Sequence, residues 1–120
     1  MKTLFALMAA LFLFCTAGFS QTFQQGDFSG DVNSEGWSLS KGTGARNHII
    51  FVSFNKAFDS PPNIVLSLTG YEMKPGTDSA VRISLKAEKV TKSGFIVKIY
   101  TWGDSEINSA SGTWLAYTAK

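Results

Sequence analysis

From residue 21 onward the apolar and polar positions alternate in short runs. In residues 64–69 (IVLSLT) the apolar Ile64, Leu66 and Leu68 fall on one face. Residues 81–88 alternate more cleanly, placing Val81, Ile83, Leu85 and Ala87 inward and Arg82, Ser84, Lys86 and Glu88 outward. The stretch 95–102 (FIVKIYTW) is rich in β-branched and aromatic residues, and Thr91-Lys92-Ser93-Gly94 before it reads as a hairpin turn. Residues 49–54 and 113–118 give two further strands, residues 23–28 another, and a short one is expected around Trp37. Gly42, Gly44, Pro61-Pro62, Gly70, Pro75-Gly76, Gly103 and Gly112 mark the joints. No stretch keeps a helical period with caps. The pattern predicts an all-β chain: about six strands in an antiparallel β-sandwich of two packed sheets. Phe51 or Phe54, with Phe95, Trp114 and Tyr117, would supply much of its core.

The first twenty residues read differently. Met1 and Lys2 precede an apolar run of eleven, residues 4–14, and then the small residues Thr16, Ala17, Gly18 and Ser20. This is the grammar of a secretory signal peptide, and the run is too short for a membrane span of ~20 residues. Cleavage is expected after Ser20, with Ala17 as the alternative, so residues 1–20 form the leader and 21–120 one domain. The expected product is secreted and extracellular, with no membrane insertion.

Removing residues 1–20 leaves ten basic and nine acidic side chains, a net charge of +1. Such a domain has no electrostatic footprint for nucleic acid or an anionic membrane. Cys15, the only cysteine, leaves with the leader, which excludes disulfides and thiol chemistry from the domain. His48 is the only histidine, which excludes a His-rich metal site, and it reads as a strand-edge residue with no ligand role. No glycine-rich phosphate cradle occurs. No cofactor and no metal are expected. A small domain without disulfides buries little surface, so assembly is a plausible further source of stability.

Two features carry candidate chemistry. The strand 95–102 turns Ile96, Lys98, Tyr100 and Trp102 to the side opposite Phe95, Val97 and Ile99. That row is too apolar for ordinary surface. It is covered either within the chain or by another copy of it. At the end of the same strand, Tyr100-Thr101-Trp102-Gly103-Asp104-Ser105 places an aromatic, a glycine and a carboxylate together. Sugar recognition uses these chemical types: an aromatic face covers the C–H patch of a pyranose, while charged groups hydrogen-bond its hydroxyls. Arg82, on an outward face, can supply a guanidinium fork. Asp104 and Glu106 are two residues apart and can share a side. As a glycosidase pair they would need two carboxyls across a cleft, and as a calcium site they fall short of the ligands needed. The chain reads as no enzyme.

The motifs also carry a resemblance. Residues 54–72 (FNKAFDSPPNIVLSLTGYE), 82–87 (RISLKA), Val90-Thr91 with Gly94-Phe95, Tyr100-Thr101-Trp102 and 113–116 (TWLA) resemble, in order and spacing, the H-type lectin domain. That family includes agglutinins selective for N-acetylgalactosamine and the C-terminal domains of discoidins. The resemblance runs from about Gly26 to Tyr117. It implies a six-stranded antiparallel β-sandwich assembling as a parallel homotrimer, and leaves open whether trimers pair into hexamers. It also implies that sugars bind in clefts between protomers, with Arg82 and Trp102 on the family's sugar-binding arginine and tryptophan.

The sequence departs from the pattern at defined places. Gly103 stands where some relatives have histidine. The loop 40–47 (SKGTGARN) holds no acid: Gly44 matches the loop glycine, and Arg46 or Asn47 takes the aspartate's place. A tyrosine further along is replaced by Asn108 or thereabouts. Asp104 is the candidate for the missing carboxylate. The expected function is multivalent recognition or agglutination of glycan-coated cells, for defence, innate immunity or cell adhesion. The alternative is a structural or protein-interaction module on the same fold.

Overall fold

The computed structural model describes residues 22–118, so the leader and its cleavage site lie outside the described residues. Six strands follow in chain order: β1 (Thr22–Asp31), β2 (Arg46–Ser53), β3 (Asn63–Lys74), β4 (Ser84–Glu88), β5 (Gly94–Thr101) and β6 (Glu106–Thr118). They form two three-stranded antiparallel sheets, ordered β1-β6-β3 and β2-β5-β4. The six-stranded antiparallel β-sandwich expected from the alternation is the observed architecture.

The inner faces meet through aromatic rings. Phe95 of β5 and Trp114 of β6 join the sheets edge to face at 5.6 Å, and Phe54 lies 5.7 Å from Phe95 and 5.8 Å from Trp114. Val97, Ile99, Ile107 and Ala116 are fully buried around them. Two glycines make room for this. Gly26 pairs with Trp114, and a Cβ there would stand 2.8 Å from the indole; Gly112 pairs with Phe28, whose ring occupies the space a Cβ would need. A missing Cβ lets each ring lie across the neighbouring strand.

The open ends of the sandwich are plugged by loops. Trp37 belongs to a looped segment, not to the short strand expected there. Its indole donates to the Ile107 carbonyl at 2.9 Å, while Leu39, fully buried, accepts from the Ile107 amide at 2.8 Å. Covering the core end needs an apolar side chain on an irregular backbone, and local alternation around Trp37 imitates a strand. His48 lies near the start of β2, an outer strand of its sheet, and is buried there, 4.9 Å from the Trp37 ring. At the other end Phe54 and Phe58 pack edge to face at 4.9 Å.

Other inward assignments shift. Phe54, not Phe51, enters the core; Phe51 is 79% exposed, and Tyr117 is half-buried on the outer face beside Phe23 and Leu115. Val81 precedes β4 and is exposed. Leu68 is exposed at a bulge, where the β3–β6 register shifts between Leu68 and Gly70. A bulge breaks the two-residue period on which inward and outward assignments rest.

Candidate functional site

Antiparallel connectivity sends the β1–β2, β3–β4 and β5–β6 loops to one end of the sandwich. Backbone bonds tie them together. The Gly44 amide donates to the Gly103 carbonyl at 2.8 Å, linking the first loop to the third. Ser105, fully buried, donates through its hydroxyl to the Ala80 carbonyl at 3.1 Å, linking the third to the second. The buried Thr101 hydroxyl donates to the Arg82 carbonyl.

Arg46 is the main fastener. Its Nε donates to Gly44 O, its Nη1 to Lys41 O, and its Nη2 to Gly103 O and Ser105 O, at 2.8–3.1 Å. A guanidinium has five N–H donors, and these bonds engage most of them on backbone carbonyls. Arg46 therefore shapes the loops. Asn47 is exposed in β2, in register with Tyr100 of β5, and its carbonyl accepts from the Ser38 hydroxyl.

Trp102 follows the last residue of β5 and is 44% exposed, its ring centroid 5.9 Å from that of Tyr100. Tyr100 lies in register between Asn47 and Ser84, so a polar–aromatic row flanks the indole. Gly103 then adopts φ +69°, a conformation that glycine takes without steric cost. A Cβ there would stand 3.3 Å from Arg82 Cδ and Nε, so the Arg82 side chain lies directly against the Gly103 backbone. Histidine at this position would meet Arg82.

Arg82 is held by a residue that sequence reasoning missed. Its Nη1 and Nη2 donate to the two oxygens of Asp78, four residues earlier, in a bidentate ion pair. Donation from Arg82, reinforced by the Ala80 amide, lowers the Asp78 carboxyl from 3.8 to about 2, and the same pair raises Arg82. Asp104 turns its Oδ2 to the Thr77 amide at 2.9 Å, and donation from the Thr77 backbone and hydroxyl holds its carboxyl low. A Cβ on Gly76 would stand 3.0 Å from both Arg82 Nη1 and Asp78 Oδ1 and would collide with Asp104 Oδ1. Guanidinium and both carboxylates thus close around the bare Cα of Gly76. The turn sequence Pro75-Gly76-Thr77-Asp78 was the available signal.

The structure therefore brings Arg82, Gly103 and Asp104 together, with Gly44 and Arg46 bonded to the same turn, Trp102 preceding it and Asn47 on the adjoining sheet face. Among the described residues no group of three or more His, Cys, Asp or Glu side chains could hold a metal ion. What the arrangement offers is an exposed aromatic face next to charged donors and acceptors.

The H-type lectin domain model matches residues 49–117, more than half the chain. The chain belongs to the H-type lectin family. A Fuscovulum blasticum protein described as ATP synthase subunits region ORF 7 is 31% identical over 83 residues, covering 69% of this chain and 70% of that protein. Recombinant discoidin II of Dictyostelium discoideum superposes with a TM-score of 0.73 at 26% identity, covering 82% of this chain and 37% of that one. The wild-type discoidin II structure gives 0.75 at 24% identity, over 84% and 38%. The tailspike of Pseudomonas phage phi297 gives 0.53 at 12% identity, which is a likeness of fold alone. The H-type lectin chain described here spans little more than a third of the length of the discoidin II chains. Family and fold point to a non-enzymatic, carbohydrate-binding lectin.

Proposed function

We propose that this lectin is secreted and binds terminal N-acetylgalactosamine-type or related glycans at sites between protomers of a homotrimer. The single observation that carries the reading is the exposed Trp102 followed by Gly103, against whose backbone Arg82 is fixed in place. The indole stacks on the apolar face of a pyranose, Arg82 donates to ring hydroxyls, and Asp104 accepts from them in place of the loop acid. The Gly44–Asn47 segment, of the same or a neighbouring protomer, closes the side of the cleft. Exposed Ile49 and Phe51 on the same sheet face support assembly, and trimeric display turns weak single sites into avidity. Recognition or agglutination of glycan-coated cells, in defence or adhesion, is the role such display serves.

Titration against multivalent glycans tests this. Trp102→Ala and Arg82→Ala should each abolish binding while leaving the circular dichroism spectrum unchanged. Failure of the folded wild-type protein to bind any glycan at high valency would overturn the proposal. One observation favours the alternative, a protein-interaction module on the same fold: Arg46, near the place of the family's acid, is engaged with backbone carbonyls. Inhibition by a free monosaccharide removes that alternative.

A further inference from the structure

Arg82, the arginine proposed to contact the sugar, is not a free cation. Asp78 takes one N–H from each of its Nη atoms, and the Asp104 carboxylate crowds the same face of Gly76. Arg82 keeps about a fifth of its side-chain surface open, while Asp78 keeps more than half. A ligand reaching Arg82 therefore meets N–H donors and carboxylate acceptors side by side.

That mixture has a chemical preference. A hydroxyl both donates and accepts, so neighbouring hydroxyls of a sugar can donate to a carboxylate oxygen and accept from a guanidinium N–H. A carboxylate or sulfate group only accepts. It can accept only from the N–H donors of Arg82 that Asp78 leaves free, and it meets repulsion from two fixed carboxylates. Arg46 adds a second positive charge nearby, but four of its five donors end on backbone carbonyls. The two carboxylates offset the two guanidinium charges, leaving no net positive field to attract an acidic sugar.

We propose that Asp78 is a specificity-determining residue of the site: by pairing with Arg82 it selects sugars that present uncharged hydroxyls and turns away sulfated and uronic ones. The assignment rests on the reading that Arg82 and Trp102 form the sugar site. Because its carboxyl titrates at about 2, Asp78 keeps its charge throughout the physiological pH range.

The test compares polymer-displayed galactose and N-acetylgalactosamine with galactose-6-sulfate and galacturonate on wild-type protein, Asp78→Asn and Asp78→Glu. The wild type should favour the neutral probes. Asp78→Asn should narrow that preference by about tenfold or more, the worth of one charge-assisted bond, mainly through gained binding of the acidic probes. Asp78→Glu should keep the wild-type preference. A wild type that favours acidic probes, or an Asp78→Asn protein with unchanged preference, overturns the inference and leaves the lectin reading standing. A wild type that takes up none of the probes overturns both. Should Asp78→Asn fail to fold, the wild type alone decides. Raising salt screens the repulsion, so its preference should narrow with ionic strength, and a preference flat in salt overturns the inference.

Discussion

Arg46 holds together three stretches of irregular backbone around residues 41–44, 103 and 105. Replacing it with alanine should cost about 1–3 kcal/mol, because four charge-assisted bonds go and the partly buried Ser105 carbonyl loses this donor. Lysine should recover little of this, since a single ammonium cannot reproduce a planar fork. Urea unfolding midpoints of the two variants check both statements. Asp78 gives a pH prediction. Its folded-state pKa lies below the ordinary value of 3.8, so its stabilising contribution is complete above about pH 4 and drains away as pH falls through about 2. A carboxyl NMR titration of Asp78 should show that low midpoint, and Asp78→Asn should lose part of the acid sensitivity of stability between about pH 4 and 2. At this scale the site was half legible. Trp102 and Arg82 stand out by chemical type and motif. Asp78 and Ser105 do not, because a turn aspartate and a strand-edge serine look alike whether they face solvent or fasten a loop. Arg46 was read as a ligand candidate for its place in the loop, although its bonds run to the backbone.

At the scale of the strand, the packing of β1 on β6 depends on residues that have no side chain. Gly112→Ala would drive a Cβ into the Phe28 ring and the Ser67 carbonyl. Overpacking of this kind costs about 1–3 kcal/mol, which a thermal or urea melt reads directly. Strand existence was legible where a period of two or a β-branched run was unbroken, as in β4 and β5, whereas of β6 only residues 113–118 were read and residues 106–112 were missed. It failed where the backbone leaves that period: at the bulge beside Leu68, before β4 at Val81, and at Trp37, where a tertiary plug overrides local alternation. Glycines at positions 26 and 112 signalled turns or nothing in the sequence, because their cross-strand aromatic partners lie far away along the chain.

The molecule as a whole leaves large apolar side chains on the outside of both sheets. Ile49 and Phe51 lie on β2, and Phe23 and Val65 on β1 and β3. Under the trimer proposal, Phe51→Lys should release protomers with native circular dichroism, seen as a fall in mass by sedimentation or native mass spectrometry. Glycan binding to a multivalent surface should fall with it, even though no sugar-contacting residue has changed.

The last strand lies in the middle of its sheet, with β1 along one side and β3 along the other. Thr22 and Thr118 are register partners, so the two ends of the domain emerge side by side. Neither outer strand of that sheet has a neighbour to bond until β6 has left the ribosome. Closure of this sheet therefore waits for its last strand, and it joins positions from opposite ends of the domain.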